Sequence, residues 1–202
     1  MLSIPLLVLG THNRKKGLEL VDCLAPLGLE LKTLADFPQA IVVDETGDSF
    51  AANAELKATQ QAIHLQSWVL GEDSGLVVDA LGGRPGIHSA RYAGPGAKDE
   101  DNNRRLLSEL ANVPLAKRTA HYTCHAAVSD PAGKIVAHSE AHCQGRIRLE
   151  PSGAGGFGYD PYFEIVEYHR TFAELGSAVK RVLSHRARAV GRLTEILAAL
   201  AG

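Results

Sequence analysis

Hydrophobic positions along the chain alternate between short continuous runs and helical spacing. Residues 6–9 form an apolar run that ends at Gly10, a pattern typical of a strand buried on both faces. The next apolar residues recur at intervals of three and four, which predicts one face of an α-helix stopped by Gly28. These residues are Leu20, Leu24 and Leu27. Residues 29–34 then resemble a second strand.

The polar stretch at residues 44–49 leads into a predicted helix of about sixteen residues that ends near Leu65. Asn53, Lys57 and His64 share one polar face of this helix, because four and seven residues are close to whole turns.

Residues 68–70 are another short apolar strand, and the acids Glu72 and Asp73 follow it before a further apolar run at 76–78. We therefore expect both acids at a strand end, where ligands usually bind in α/β sheets. Residues 99–110 predict a further helix.

Residues 120–128 alternate apolar and polar positions, a turn sequence follows at 130–133, and residues 135–143 alternate again. This pattern predicts a long β-hairpin. A last helix is predicted from about Ser177. Its apolar face carries Leu183, Ala187, Val190, Leu197 and Leu200. Together the elements predict a mixed α/β fold.

Composition narrows the class of protein. The 202 residues are 45% hydrophobic and 22% charged without a low-complexity linker, so we expect a single domain over residues 1–202. A net charge of −2 and a pI of about 6.5 argue against a nucleic-acid or membrane-surface binder. The short apolar start lacks a basic segment, so the default is a cytoplasmic protein. The three cysteines show no CxxC spacing and are expected to be buried hydrophobes.

Two polar clusters lie at the predicted loops of the first half. Thr11, His12, Asn13, Arg14, Lys15 and Lys16 stand between strand and helix. Their hydroxyl, amide and cationic groups suit phosphate oxygens, although a basic start to a surface helix has the same pattern. Glu45, Glu72 and Asp73 offer hard carboxylates for Mg²⁺, with Lys57 to balance their charge. The alternative for Asp73-Ser74-Gly75 is a simple turn.

Two further clusters lie in the second half. Residues 152–161 combine four glycines with Phe157, Gly158, Tyr159 and Asp160, which suits a loop that stacks on a base, or else a glycine-rich hairpin loop. Lys180, His185 and Arg186 belong to a cationic segment that either matches an anion or forms a solvated face. Together the four clusters describe a site for a nucleoside triphosphate.

Several motifs of the chain resemble those of the inosine triphosphate pyrophosphatase family, also called Ham1-like, over nearly the whole length. They are Thr11-x-Asn13-x-x-Lys16, Glu45-Thr46-Gly47-x-x-Phe50-x-x-Asn53-Ala54-x-x-Lys57-Ala58, Asp73-Ser74-Gly75-Leu76, Pro85-Gly86-x-x-Ser89-Ala90-Arg91-Tyr92, Gly156-Phe157-Gly158-Tyr159-Asp160-Pro161 and Lys180 with Ser184-His185-Arg186. The resemblance implies an elongated, two-lobed, mixed-sheet fold. It also implies Mg²⁺-dependent hydrolysis of ITP, dITP and XTP to monophosphate and pyrophosphate by a homodimer, which removes deaminated purines from the nucleotide pool.

The resemblance also implies roles for individual residues. Phosphates would be held by residues 11–16 and Lys57, and the metal by Glu45 and Asp73, with Asp73 also the general base. Ser74 would support the site. The nucleoside and its 6-oxo group would be bound by Phe157, Gly158, Tyr159, Asp160, Lys180, His185 and Arg186. Two positions depart from the usual pattern. Glu72 stands where an Asp is common, and is a possible further metal ligand, while Arg181 stands where Asn is common.

Three other functions fit parts of the pattern. A Maf-type pyrophosphatase would act on modified pyrimidine nucleotides, and a nucleotide sensor would bind without hydrolysis. A nucleic-acid-binding module is disfavoured by 5% aromatic residues and the near-neutral charge.

The predicted hairpin carries four histidines. A turn at residues 130–133 would place His125 opposite His138 and His121 opposite His142, close enough for paired imidazoles to bind a transition metal. The alternative is a solvated polar strand face.

Overall fold

The structure of the chain is a computed structural model that describes the backbone of residues 4–201 and the side chains of residues 4–198. The side chain of Leu200, expected on the apolar face of the last helix, lies outside the described residues. The helices and strands are β1 (Leu6–Leu9), α1 (Arg14–Leu24), β2 (Glu30–Thr33), α2 (Phe50–Leu65), β3 (Trp68–Val78), α3 (Asp99–Glu109), β4 (Thr119–Ser129), β5 (Ile135–Ile147), β6 (Phe163–Ile165), β7 (Arg170–Thr171), α4 (Phe172–Leu183) and α5 (His185–Ala201).

The strands form one mixed sheet in the order β2-β1-β3-β4-β5-β6-β7. β1 pairs in parallel with β2 and β3, while β5–β6 and β6–β7 pair antiparallel. The predicted α/β class and the long hairpin are confirmed. The hairpin turn is closed by the Gly133 N–H, which donates to the Asp130 carbonyl at 3.0 Å.

The contacts within the chain define two compact units. The first unit comprises residues 1–73, 124–141 and 185–202, and the second comprises residues 74–123 and 142–184. These units do not by themselves define domains, so the predicted single domain over residues 1–202 stays a prediction.

The first unit is built around buried side chains of β1, α1 and α5. Leu7 and Leu9 of β1 pack with Leu20 of α1 and with Val190 and Leu193 of α5. All five are fully buried. The continuous apolar run of β1 is explained by this position, because both faces are covered: Leu7 and Leu9 pack on α1 and α5, and Val8 packs with Ala62 of α2.

The second unit has a core of its own, in which aromatic side chains are prominent. Tyr122 lies 4.6 Å from Phe163 between ring centroids, and Phe163 stacks on Phe172 at 5.4 Å. Leu106 of α3 packs against the same core. Aromatic rings bury large apolar areas, so these three side chains contribute much of the packing in this core.

Two predicted boundaries are wrong. β3 does not end after residue 70 but runs unbroken to Val78, so Glu72 and Asp73 lie inside a strand and the turn at residues 73–75 is excluded. The last helix is also interrupted, because Ser184 has extended backbone angles and separates α4 from α5. In β3 the two acids resembled a break in the apolar pattern, although each forms an ion pair inside the protein.

No helix in the described part of the chain combines the length and the apolarity needed to cross a lipid bilayer.

Candidate functional site

The loop between β1 and α1 is organised by its own side chains. Asn13 is the N-cap of α1, and its Oδ1 accepts the N–H groups of Lys15 and Lys16 at 3.0 and 3.2 Å. Thr11 Oγ1 accepts the Asn13 N–H at 3.1 Å. The predicted strand, loop and helix are therefore confirmed, with Asn13 as the residue that starts the helix. Arg14 and Lys15 are exposed, whereas Lys16 is half-buried.

Lys57 brings two carboxylates together in the first unit. Its Nζ lies 3.0 Å from Glu45 Oε1 and 3.0 Å from Asp73 Oδ1. Lys57 and Asp73 are largely buried, with side chains 12% and 7% exposed. Burial raises the pKa of Asp73 above its usual value, although the ammonium groups of Lys57 and Lys16 oppose the change. Burial alone would lower the pKa of Lys57, but the surrounding carboxylates outweigh it and the pKa is raised.

The donor set around Lys57 fits Mg²⁺. Glu45 and Asp73 present hard carboxylate oxygens to one point, and Mg²⁺ usually takes one or two protein carboxylates together with phosphate oxygens and water. No group of three His, Cys, Asp or Glu ligands is formed by the residues that the structure describes. A magnesium ion here would therefore need oxygen ligands from a bound phosphate or from water.

Glu72 lies beside this site but faces a different set of groups. It is fully buried, and its Oε1 accepts from Arg186 Nε and Nη2 at 3.1 and 2.9 Å. Its Oε2 accepts from Lys16 Nζ at 3.1 Å, and the Cys124 thiol donates to Oε1 at 3.5 Å. Arg186 also forms an ion pair with Glu19. Both oxygens of Glu72 are thus engaged by protein cations, so the structure gives no support to its role as a further metal ligand.

Arg186, the cationic partner of Glu72, is also deeply buried, 2% exposed. Burial alone would lower the pKa of Arg186, but the carboxylates of Glu72 and Glu19 outweigh it and raise the pKa. The resemblance places Arg186 at the base of a nucleotide, whereas its contacts here are with carboxylates of the first unit. Its role at the base stays a prediction.

Asp160 organises residues 152–161 of the second unit, which we call the glycine-aromatic loop. Its Oδ2 accepts from the Phe157 N–H at 2.9 Å and from Lys180 Nζ at 2.6 Å. The same ammonium lies 4.4 Å from the centroid of the Phe157 ring, within cation–π distance. A Cβ at Gly156 would lie 2.1 Å from Asp160 Oδ2, and Gly156 has a φ of +76°. Only glycine fits here, because both the space and the backbone angle exclude a side chain.

Two residues of helix α3 also bind the glycine-aromatic loop. Asp99 Oδ2 accepts the Gly158 N–H at 2.8 Å, and Asn103 Nδ2 donates to the Gly158 carbonyl at 3.0 Å. The buried hydroxyl of Tyr159 donates to the Ser89 carbonyl at 2.8 Å. Burial raises the pKa of Tyr159, so this hydroxyl stays protonated. Tyr159 thus anchors the loop to the core of the second unit.

The structure groups the predicted site residues by unit. In the first unit, one set of contacts joins Lys16, Glu72 and Arg186, and a second set joins Glu45, Lys57 and Asp73. In the second unit, contacts connect Phe157, Asp160 and Lys180, with Gly158 and Tyr159 in the same loop. His185 is buried at the start of α5, Ser74 is half-buried on β3, and His12 Nε2 lies 3.0 Å from the Ile41 carbonyl.

Sequence reasoning missed the residues that orient these groups. Asn53 contacts Asp73, Glu19 and Cys124 contact the Arg186–Glu72 pair, and α3 supplies Asp99 and Asn103. For Asn53 a signal was present, since it lies one helical turn from Lys57 on the same face.

Of the two predicted histidine pairs, His121 meets His142, whereas His125 contacts Glu140. His125 Nε2 lies 3.0 Å from Glu140 Oε2, and Thr123 Oγ1 lies 3.0 Å from His142 Nδ1. The rings of His121 and His142 meet edge to face with centroids 5.3 Å apart. Since three metal ligands do not converge among the described residues, the structure gives no support to a four-histidine metal site.

Comparison with known proteins gives one consistent result. Residues 7–196 match the model of the Ham1 family. A dITP/XTP pyrophosphatase of Rhodopirellula baltica is 54% identical over 91% of this chain and 88% of its own length, and one of Geobacillus kaustophilus is 49% identical over 94% and 92%. A solved HAM1 protein from Coxiella burnetii superimposes with a TM-score of 0.87 at 32% identity, covering 97% of this chain and all of the other.

Proposed function

The chain belongs to the Ham1 family, and from this membership we propose that it hydrolyses non-standard purine nucleoside triphosphates such as ITP, dITP and XTP. It is a nucleoside triphosphate pyrophosphatase, whose products are the nucleoside monophosphate and pyrophosphate. Its role is to remove deaminated purines from the nucleotide pool.

The observation that carries the proposal is the convergence of Glu45 and Asp73 on one side chain of α2. A water molecule that attacks phosphorus needs a base for its proton and cations for the charge on the phosphoryl oxygens. We assign the base to Asp73, a largely buried carboxylate that Lys57 and Asn53 hold in place. Lys57 and Lys16, held in place by carboxylates, supply cations for the phosphate oxygens.

We further propose that Mg²⁺ is the cofactor, held by Glu45 and Asp73. When bound it would neutralise phosphate charge, since divalent cations act as Lewis acids toward phosphoryl oxygens. Thr11, His12, Asn13, Arg14, Lys15 and Ser74 complete the proposed phosphate-binding set. A homodimer in the cytoplasm remains part of the proposal.

Base recognition is assigned to the glycine-aromatic loop with Lys180, His185 and Arg186. Phe157 offers a flat apolar ring for stacking. Cationic and imidazole N–H donors satisfy the 6-oxo group of hypoxanthine or xanthine, but they would meet another donor in the 6-amino group of adenine. The names of the relatives favour purines over the pyrimidine nucleotides of a Maf-type enzyme.

The test is product analysis across a nucleotide panel. We expect pyrophosphate from ITP, dITP and XTP with Mg²⁺, far less from ATP, dTTP and UTP, and loss of activity when the metal is removed with EDTA. Release of orthophosphate would refute the pyrophosphatase, preference for dTTP or UTP would favour the Maf type, and binding without turnover would favour a sensor.

A further inference from the structure

Asn53, like Lys57, binds both Asp73 and the segment that carries Glu45. Its side chain is fully buried on α2, one helical turn before Lys57. Its Oδ1 accepts the Gly47 N–H at 2.8 Å, and its Nδ2 donates to Asp73 Oδ2 at 3.4 Å. Lys57 contacts Asp73 Oδ1 and Glu45 Oε1. Two successive turns of one helix therefore each connect Asp73 to the segment that carries Glu45.

The surrounding backbone leaves little freedom for this arrangement. A Cβ at Gly71 would lie 2.2 Å from the Ala54 carbonyl oxygen, so β3 approaches α2 as closely as backbones allow just before Asp73. A Cβ at Gly47 would lie 2.7 Å from Asn53 Oδ1. Helix α2 therefore packs directly on Gly71 of the strand, while the Asn53 amide packs on Gly47 of the loop and reaches the Asp73 carboxylate.

Packing alone does not explain an asparagine at this position. Asparagine is a poor helix former, and a buried amide costs stability unless both ends are hydrogen-bonded. A leucine would fill the volume without that requirement. Gln61, two turns further along α2, is a useful comparison. It is also buried and also holds the preceding segment, through the carbonyl of Ile41, but its partner is the backbone and not a carboxylate.

We propose that Asn53 is a positioning residue that keeps Glu45 and Asp73 directed at one point. The proposal rests on the proposed function, in which these two carboxylates hold Mg²⁺. Asn53 itself is too deeply buried to act as a phosphate ligand. It acts through the two groups that it holds, as residues behind metal ligands commonly do.

Three variants of the full chain test this role. Asn53→Leu removes both hydrogen bonds at similar volume. Asn53→Asp keeps an acceptor for the Gly47 N–H but replaces the donor to Asp73 with an oxygen. Gln61→Leu is the matched control. It also removes a buried amide of α2 that binds the preceding segment, but at Ile41 and not at a carboxylate.

We expect kcat for ITP to fall by about 10- to 100-fold in both Asn53 variants, the usual effect of removing a group that orients a metal ligand. KM for ITP should stay within about threefold, because the phosphate-binding loop is unchanged. Gln61→Leu should lower Tm but keep kcat. The proposal is overturned if Gln61→Leu loses as much kcat as Asn53→Leu, or if Asn53→Asp has wild-type kcat. Asn53→Asp also provides the answer if Asn53→Leu fails to fold.

Binding of Mn²⁺ without nucleotide, followed by electron paramagnetic resonance, separates this proposal from the proposed function. We expect Asn53→Leu to weaken Mn²⁺ binding by about tenfold or more and Gln61→Leu to leave it unchanged. If the wild type releases no pyrophosphate from ITP, the proposed function fails and Mn²⁺ binding alone decides. Equal Mn²⁺ affinity in the wild type, Asn53→Leu and Gln61→Leu would then overturn the positioning role.

Discussion

Replacing Arg186 by methionine should destabilise the first unit strongly, because it leaves the Glu72 carboxylate buried without its main partner. The Glu72 side chain is 0% exposed, and its Oε2 also accepts from Lys16 Nζ at 3.1 Å. Removing one partner of a buried ion pair costs about 3–5 kcal/mol. Because Lys16 remains, we expect the lower end, about 3 kcal/mol, which corresponds to a Tm lower by about 6–12 °C for a chain of this size.

The double variant Glu72→Leu/Arg186→Met provides the decisive comparison. Replacing a buried ion pair by apolar side chains is often neutral or stabilising, so the double variant should be more stable than Arg186→Met. The remaining partners, Lys16 and Glu19, have side chains 18% and 24% exposed and can be solvated.

Urea unfolding followed by the fluorescence of Trp68, the single tryptophan, reports on the same unit. Arg192→Met is the matched control, an exposed arginine of α5 that donates to the Glu140 carbonyl. It should change stability by less than about 0.5 kcal/mol. An Arg186→Met protein within about 1 kcal/mol of wild type would refute the reasoning, as would a double variant no more stable than Arg186→Met.

Two further predictions concern β3. Asp73→Asn should keep the fold and lower kcat for pyrophosphate release by about 10²- to 10⁴-fold, the usual contribution of a positioned general base. An active Asp73→Asn enzyme would assign the base to another group. Gly71→Ala should destabilise the protein by about 1–3 kcal/mol, because its Cβ would lie 2.2 Å from the Ala54 oxygen and 2.5 Å from the Ala58 nitrogen. Gly191→Ala, in open space on α5, should instead stabilise by about 0.5–1 kcal/mol, and equal urea midpoints for the two variants would contradict the argument.

The sequence by itself determined the elements whose signals are local. The apolar run of β1 and the period-two pattern of the hairpin each depend on residues a few positions apart. The helix predicted to end near Leu65 is α2, which ends there. The motifs also identified the family and most groups of the candidate site, since these stand in fixed order along the chain.

The tertiary structure alone decided which of these groups meet. Arg186 and Glu72 are 114 positions apart, and their ion pair depends on α5 packing beside β3 and α1. The continuation of β3 through Glu72 and Asp73 likewise depends on partners from elsewhere, because carboxylates inside a strand are stable when cations from other elements cover them. The spacing of apolar residues shows which face of one segment is buried. The burial of a charged side chain depends instead on the distant residue that neutralises it.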